Sequence, residues 1–418
     1  MRLIIFEPFL KDFSGHNYFY TVSVKNGAEK KGVPVVVFGN IAADTAKLNI
    51  SNFYPALTDI TGRVFESTSS FRKMLPAIWK NTEIFNKQLE SCLLNSSKFK
   101  LEKNDLFFFP TVYAFELLAL AFFLKKHSSV IIENNIRINI LLRFRFIRES
   151  AFITMVLKMV HRYACNSLLK DLSSNIIYTT DSELLKQEFE KLLRRGFTVY
   201  PIPISKSLLD LAAGRKPEEP GKKPVISYLG ASRYNKGFDV YVGLVERISA
   251  DRELADKVSF LAQLYIQKQP EKDTEKMVEA ARKLRNLAGT AGNLEIYDGT
   301  VTTDEYNRLL MKSDITILAY RGEAFKAATS NILVESVISG KIPVVSENTW
   351  LSHELERSGI TGLSFNPDNI DSVYNTVKNV VNNYAEYRKK VLAISGKWAQ
   401  YHNSANLVDS LLTKLPPL

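Results

Sequence analysis

Short apolar runs alternate with longer amphipathic stretches along most of the 418 residues. Residues 3–6, 34–38, 106–109, 130–132, 176–179 and 198–201 are nearly continuous in apolar and β-branched residues, the pattern of strands buried on both faces. Between them, residues 18–31, 70–95, 113–126 and 182–195 space their apolar positions at helical intervals. Asp181 and Ser182 supply the polar start that the last of these helices needs. Strands alternating with helices in this way predict a parallel sheet with helices on both faces.

The rhythm breaks once. Residues 205–223 carry Pro217, Glu218, Glu219, Pro220 and Gly221 among charges with no period, which reads as a linker. The boundaries that follow are a first α/β domain at 1–204, a second at 224–382, and helical C-terminal residues at 383–418.

The second domain holds the densest chemistry. The strand-like run Val225-Ile226-Ser227-Tyr228-Leu229 is broken by Gly230, and a polar loop then carries Arg233 and Lys236 before a helix from about Phe238. A planar guanidinium fork and a compact ammonium at this spacing can clamp a diphosphate. A second run, Asp314 through Tyr320, reads as a strand that delivers the loop 321–328 to the carboxyl edge of the sheet, where open α/β sheets bind ligands. Thr329 and Ser330 then start a helix whose apolar face is Ile332, Leu333, Val337 and Ile338. Gly340 stops it, and Ile342-Pro343-Val344-Val345 opens another buried strand. Free amides at this helix start suit a phosphate. Glu335, on the first turns of the same helix, is placed for paired ribose hydroxyls.

The set Gly230, Arg233, Lys236-Gly237-Phe238, Tyr306, Ser313-Asp314, Ser330, Glu335, Gly340-Lys341 and Pro343-Val344-Val345 resembles the C-terminal half of a GT-B glycosyltransferase. Within that class it resembles the large retaining family called glycosyltransferases group 1, with motif-grade likeness over residues 225–365. The resemblance implies two Rossmann-like, doubly wound parallel-sheet domains facing a cleft, with a C-terminal helix crossing back to the first. It implies a nucleoside-diphosphate sugar as co-substrate, no further cofactor and no metal. Arg233 and Lys236 match the catalytic cations that stabilise the departing nucleoside diphosphate. Ser330, Asn331, Ile332 and Leu333 match the helix start that contacts the phosphates. Glu335 matches the second acid of the family's E-x7-E motif, and Ala327 stands where the first acid belongs. The loop from Asp298 and Gly299 is assigned to base readout.

In the first domain, the loop ending in Gly15 and His16 corresponds to the one that faces the cleft in GT-B enzymes. Gly15 permits close backbone approach, and His16 could meet a phosphate or the acceptor. Asn134 follows the run 130–132, where relatives often carry a sugar-contacting histidine. The family reading gives a sugar transfer to a glycan or lipid-linked acceptor with retention, in cell-surface polysaccharide or glycolipid synthesis. Alternatives are a sugar-nucleotide epimerase of the same fold and a non-catalytic protein that keeps it.

Composition adds three things. Cys92 and Cys165 give neither a metal spacing nor a disulfide framework. The N-terminus shows no secretory pattern, and the apolar stretch 106–124 is interrupted by Pro110 and Glu116, so a cytoplasmic location is expected. Of the net charge of +11, residues 1–200 hold +9, from 27 Lys and Arg against 18 Asp and Glu. Much of that excess lies at Arg137, Arg143, Arg145, Arg148, Lys158 and Arg162, interleaved with apolar residues. Such a segment is either a partly buried helix with its cations in water or a peripheral contact with the anionic inner face of a membrane. No nucleic-acid motif accompanies it.

Overall fold

The structure, a computed structural model, describes residues 1–12, 16–61, 71–94, 99–148, 150–215, 222–267 and 269–413, without the side chains of residues 16, 71–75, 290 and 291. Gly15 and the side chain of His16 lie outside the described residues. The chain divides into two compact units, Met1–Pro203 with Ser404–Leu418, and Ile204–Asn403.

The first unit is built on a seven-stranded parallel sheet. Its strands are β1 (Leu3–Glu7), β2 (Val35–Asn40), β3 (Phe53–Leu57), β4 (Leu106–Phe109), β5 (Arg137–Leu141), β6 (Ile176–Thr180) and β7 (Thr198–Val199), in the order β3-β2-β1-β4-β5-β6-β7. Every residue of β1 and β4 is buried, as apolar runs covered on both faces require. Phe6 stacks between Phe38 at 5.5 Å and Phe109 at 4.6 Å, locking three adjacent strands together. Helix His16–Lys30 covers one face with Val24 and Ala28. Leu407, Val408 and Leu411 of helix Ser404–Thr413 join the same core, and Lys31 pairs with Asp409 at 2.7 Å.

The second unit repeats the plan with six parallel strands. They are β8 (Val225–Tyr228), β9 (Ser259–Leu264), β10 (Leu294–Asp298), β11 (Ile315–Leu318), β12 (Ile342–Ser346) and β13 (Ser364–Phe365), in the order β10-β9-β8-β11-β12-β13. In both sheets the chain starts at the middle, winds outward, then returns to the other side. The order therefore reverses between β1 and β4 and again between β8 and β11, and ligands of doubly wound folds bind at such switch points.

Four expectations are corrected. Residues 130–132 are not a strand but lie in helix Ser128–Glu133, which Asn135 closes with a left-handed φ of 49°. Three apolar residues are too few to tell a strand from a helix turn. The part of the basic stretch from Arg137 to Arg148 is not a partly buried helix but β5 and its following loop, with Arg143 paired to Asp181 at 2.8 Å and Arg145 to Glu188 at 2.6 Å, and only Lys158 and Arg162 lie on a helix, Ala151–Arg162. The alternation Ile138, Ile140, Leu142 is the period of a strand. The linker region holds helix Lys206–Ala213, capped by Ser205. The C-terminal residues form two helices, of which Tyr384–Tyr401 belongs to the second unit and only Ser404–Thr413 to the first.

Candidate functional site

The two loops at the β8/β11 switch point bring the sequence candidates together. After β8 the chain turns at Gly230 (φ +100°), passes Arg233, and makes the 3-10 turn Tyr234–Lys236 before helix Phe238–Ser249. After β11 it runs through Ala319, Tyr320 and Arg321 to helix Asn331–Ile338. Gly237 stands at φ +69°, and a Cβ there would lie 2.2 Å from the Ala319 carbonyl oxygen. The two loops therefore touch backbone to backbone, which only glycine permits. A Cβ on Gly230 would meet the Ile332 side chain at 3.1 Å, so the first loop also lies on the start of the second helix.

Among the described residues, no carboxylate pairs with Arg233 or Lys236, and the Arg233 Nε is buried without an acceptor. Burial lowers the Lys236 ammonium to about 8, and the neighbouring Arg233 charge adds to the effect. Its Nζ stands 5.7 Å from the centre of the Tyr320 ring. Two cations held close together with no anion between them are unfavourable unless an anion arrives. The nearby carboxylate, Asp239, is taken by Arg321, whose Nη1 donates to both of its oxygens at 3.0 and 2.9 Å. Arg321 is held in turn by Asp368 at 3.2 Å and by the Pro367 carbonyl.

Ser330 caps helix Asn331–Ile338, its Oγ accepting from the Leu333 amide at 3.4 Å and lying 3.2 Å from the Tyr320 hydroxyl. The amides of Asn331 and Ile332 have no acceptor among the described residues. One turn on, Glu335 accepts from the Tyr306 hydroxyl at 2.6 Å. Burial raises the Glu335 carboxyl to about 7 against that hydrogen bond. Ala327 is buried, and Glu323 is tied to Lys326 at 2.5 Å.

Two contributors, Gln263 and Arg321, were not singled out in the sequence, and a third, Tyr306, was named there only as part of the resemblance. Gln263, buried at the end of β9, accepts from the Gly230 amide at 2.9 Å and donates to the Gly299 carbonyl at 3.1 Å. Its signal was a lone amide ending the apolar run Phe260-Leu261-Ala262. Arg321 is the first charged residue after β11, and Tyr306 lies on helix Thr303–Lys312 in front of that strand. Gly299 thus reaches the site through Gln263. Asp298 does not come with it: it is exposed on the outermost strand and paired with Arg285.

In the first unit, Asn134 is corrected. It precedes β5 and so lies at the amino edge of the sheet, where its Nδ2 donates to the Val130 carbonyl at 2.9 Å. The carboxyl edge holds other groups. Glu7, ending β1, is fully buried, accepts from the Thr111 hydroxyl at 2.6 Å and the Phe9 amide at 3.1 Å, and is raised to about 8 by burial. Arg143 stands over the Tyr20 ring at 4.8 Å. Among the described residues, no group of three or more His, Cys, Asp or Glu side chains is arranged to hold a metal ion. No helix among them is long and apolar enough to cross a membrane.

No protein-family model matches the chain, and no curated protein matches it. Solved structures are similar to it over their full length. One is an alpha,alpha-trehalose-phosphate synthase (UDP-forming) from Burkholderia xenovorans in complex with glucose-6-phosphate, at 14% identity, 100% of both chains and a TM-score of 0.70. Another is trehalose-6-phosphate synthase OtsA, at 14% identity, 100% of both chains and a TM-score of 0.68. A structure from E. coli bound with UDP-2-fluoro glucose matches at 16% identity, 100% of this chain and 99% of the other, with a TM-score of 0.67. These likenesses show the fold: α/β, with two Rossmann-like parallel-sheet units of the GT-B class.

Proposed function

We propose that the chain is a glycosyltransferase that takes a sugar from a nucleoside-diphosphate donor. The observation that carries this reading is the pair Arg233 and Lys236, without carboxylates, beside the open amides of Asn331 and Ile332 at a sheet switch point. A diphosphate supplies the missing negative charge to both cations and accepts from both amides. Glu335 lies one helix turn away, where a carboxylate can accept from both hydroxyls of a ribose. Gly299, tied to Gly230 by Gln263, belongs to the loop on the base side. The neighbours named as UDP-forming, and the one bound with UDP-2-fluoro glucose, favour uridine as the base.

In this reading the bond from the donor C1 to the diphosphate oxygen breaks. The acceptor oxygen bonds to C1 on the same face, and the acceptor proton passes to the departing phosphate. Arg233, Lys236 and the helix amides stabilise the charge that grows on that phosphate, an electrostatic contribution fixed before the reaction begins. No metal is required for this, because the two cations do the work of charge neutralisation. The acceptor is a glycan, a lipid-linked sugar or a sugar phosphate, the last favoured by the neighbour in complex with glucose-6-phosphate. The place of action is the cytoplasm, in the assembly of a surface polysaccharide or glycolipid.

A second reading, a binding protein that keeps the fold without turnover, is favoured by Ala327 alone. The test is a thermal-shift panel of UDP, GDP, ADP, TDP and CMP on the wild type and on Glu335→Ala. Stabilisation by one diphosphate that the variant loses supports the donor site and names the base. No shift with any nucleotide overturns it.

A further inference from the structure

We propose that the outer face of helix Ala151–Arg162 is a docking surface for an anionic phospholipid bilayer. The inner face of this helix is already committed: His161 is buried, within 6.1 Å of the Phe146 ring and 5.5 Å of the Phe189 ring. The opposite face is also apolar, but open. Phe152 is 48% exposed, Met155 50% and Met159 61%, at helical intervals along one stripe. Tyr163, 49% exposed, extends the stripe past the helix end. The Tyr163 ring is 6.3 Å from that of Phe122, which is 5.7 Å from Trp79 on helix Phe71–Leu93, itself 64% exposed. Contiguous exposure of this kind marks an interaction surface rather than ordinary scattered apolar residues.

Charge selects the occupant. Residues 151–170 contain no Asp or Glu, and they carry Lys158, Arg162 and Lys170. Lys80, exposed and next in sequence to Trp79, and Lys125, exposed and one turn from Phe122, add positive charge to the two neighbouring helices. None of these five cations is paired with a carboxylate among the described residues. The acids on the neighbouring helix are already neutralised, Glu83 by Lys87 at 2.7 Å and Glu90 by Lys126 at 2.6 Å. An apolar stripe flanked by cations without carboxylate partners, with Trp and Tyr at its border, matches the acyl and headgroup layers of an anionic leaflet. The proposal is independent of the nucleotide site, which lies in the other unit.

The full chain carries its own reporter. Trp350 and Trp398 are buried and Trp79 is exposed, so a blue shift of tryptophan emission on binding reads Trp79. Vesicles of phosphatidylcholine with phosphatidylglycerol should sediment the wild type and shift its emission, while pure phosphatidylcholine should do so on the order of tenfold less. The double variant Met155→Glu, Met159→Glu should lose sedimentation with its melting temperature and nucleotide response unchanged. Trp79→Phe should keep sedimentation and lose the emission shift. Wild type left in the supernatant with both vesicles overturns the proposal. So does a double variant that sediments as well as wild type. A wild-type dimer on size exclusion that the double variant dissolves, with no vesicle binding, assigns the face to a second copy and also overturns it.

Discussion

The Tyr306 hydroxyl donates to Glu335 Oε2 at 2.6 Å, and no cation among the described residues joins the pair. A carboxylate that is half-buried and held by one neutral donor retains lone pairs for a ligand and carries an elevated proton affinity. Everything proposed for the donor ribose turns on this relationship.

Glu335 should make both stability and affinity depend on pH. Its carboxyl is raised from 4.5 to about 7, so the native chain keeps a proton that the unfolded chain has released. Stability from this group therefore falls as pH rises from 4.5 to 7, and the cost is fully present above 7. Glu335→Gln removes that cost. Its melting advantage over wild type should grow from about pH 5 to pH 8 and correspond to about 1–3 kcal/mol. Nucleotide affinity should move the other way, rising in the wild type as the carboxylate forms and staying flat in the variant. Melting curves and calorimetric titrations across that range check both. A constant gap between the two proteins would contradict the elevated proton affinity.

Arg233→Ala and Lys236→Met should trade stability against binding. Each removes a cation that has no carboxylate partner, so neither should lower the melting temperature. Lys236→Met should raise it at neutral pH by the equivalent of about 1 kcal/mol, given the partial exposure of the side chain. The Lys236 ammonium, lowered from 10.5 to about 8, costs stability below 8, and that cost is relieved as pH rises toward 10.5. Diphosphate affinity should drop about ten- to a hundredfold in either variant, the range for charged hydrogen bonds. In the wild type it should weaken above about pH 8 as Lys236 loses its proton. A loss of fold with no loss of affinity would reverse the assignment.

The fold was legible because its strands announce themselves. Residues 3–6, 106–109 and 342–345 are apolar without interruption, and such runs have few alternatives to a covered parallel sheet. The loop cations and the capped helix start were legible for the same reason, since Gly230 and Gly340 punctuate them. Asn134 was misplaced because helix Ser128–Glu133 is barely longer than a turn, and its apolar residues carry no usable period. Gln263 and Arg321 were missed because their roles are long-range. Gln263 bonds residues 33 and 36 positions away, and Arg321 one 82 positions away, which no local pattern contains.

Gln263→Leu should separate positioning from binding. The change keeps the size of a buried side chain but leaves the Gly230 amide and the Gly299 carbonyl without their partner. Unsatisfied buried groups cost about 1–3 kcal/mol each, so the melting temperature should fall. The nucleotide shift should weaken in the variant even below its melting point, because the loop carrying Arg233 is no longer anchored to β9. Gln263→Glu should restore the acceptor for Gly230 and not the donor to Gly299, and so recover part of the loss. Equal behaviour of the two variants would place Gln263 outside the site's support.

Gly237→Ala should be the most damaging single-methyl change in the second unit. The residue sits at φ +69°, where an alanine is strained, and its new Cβ would lie 2.2 Å from the Ala319 oxygen and 2.5 Å from the Ala319 Cβ. The contact is backbone against backbone, so no side-chain rotation relieves it, and β8 or β11 must shift. Strain plus overpacking of this kind costs about 3 kcal/mol or more. Gly289→Ala, inside helix Glu271–Ala291 where a Cβ meets nothing within 4 Å, is the matched control and should leave the melting temperature unchanged or raise it slightly. If Gly237→Ala melts with the control, the two loops do not share the close approach on which the proposed diphosphate site depends.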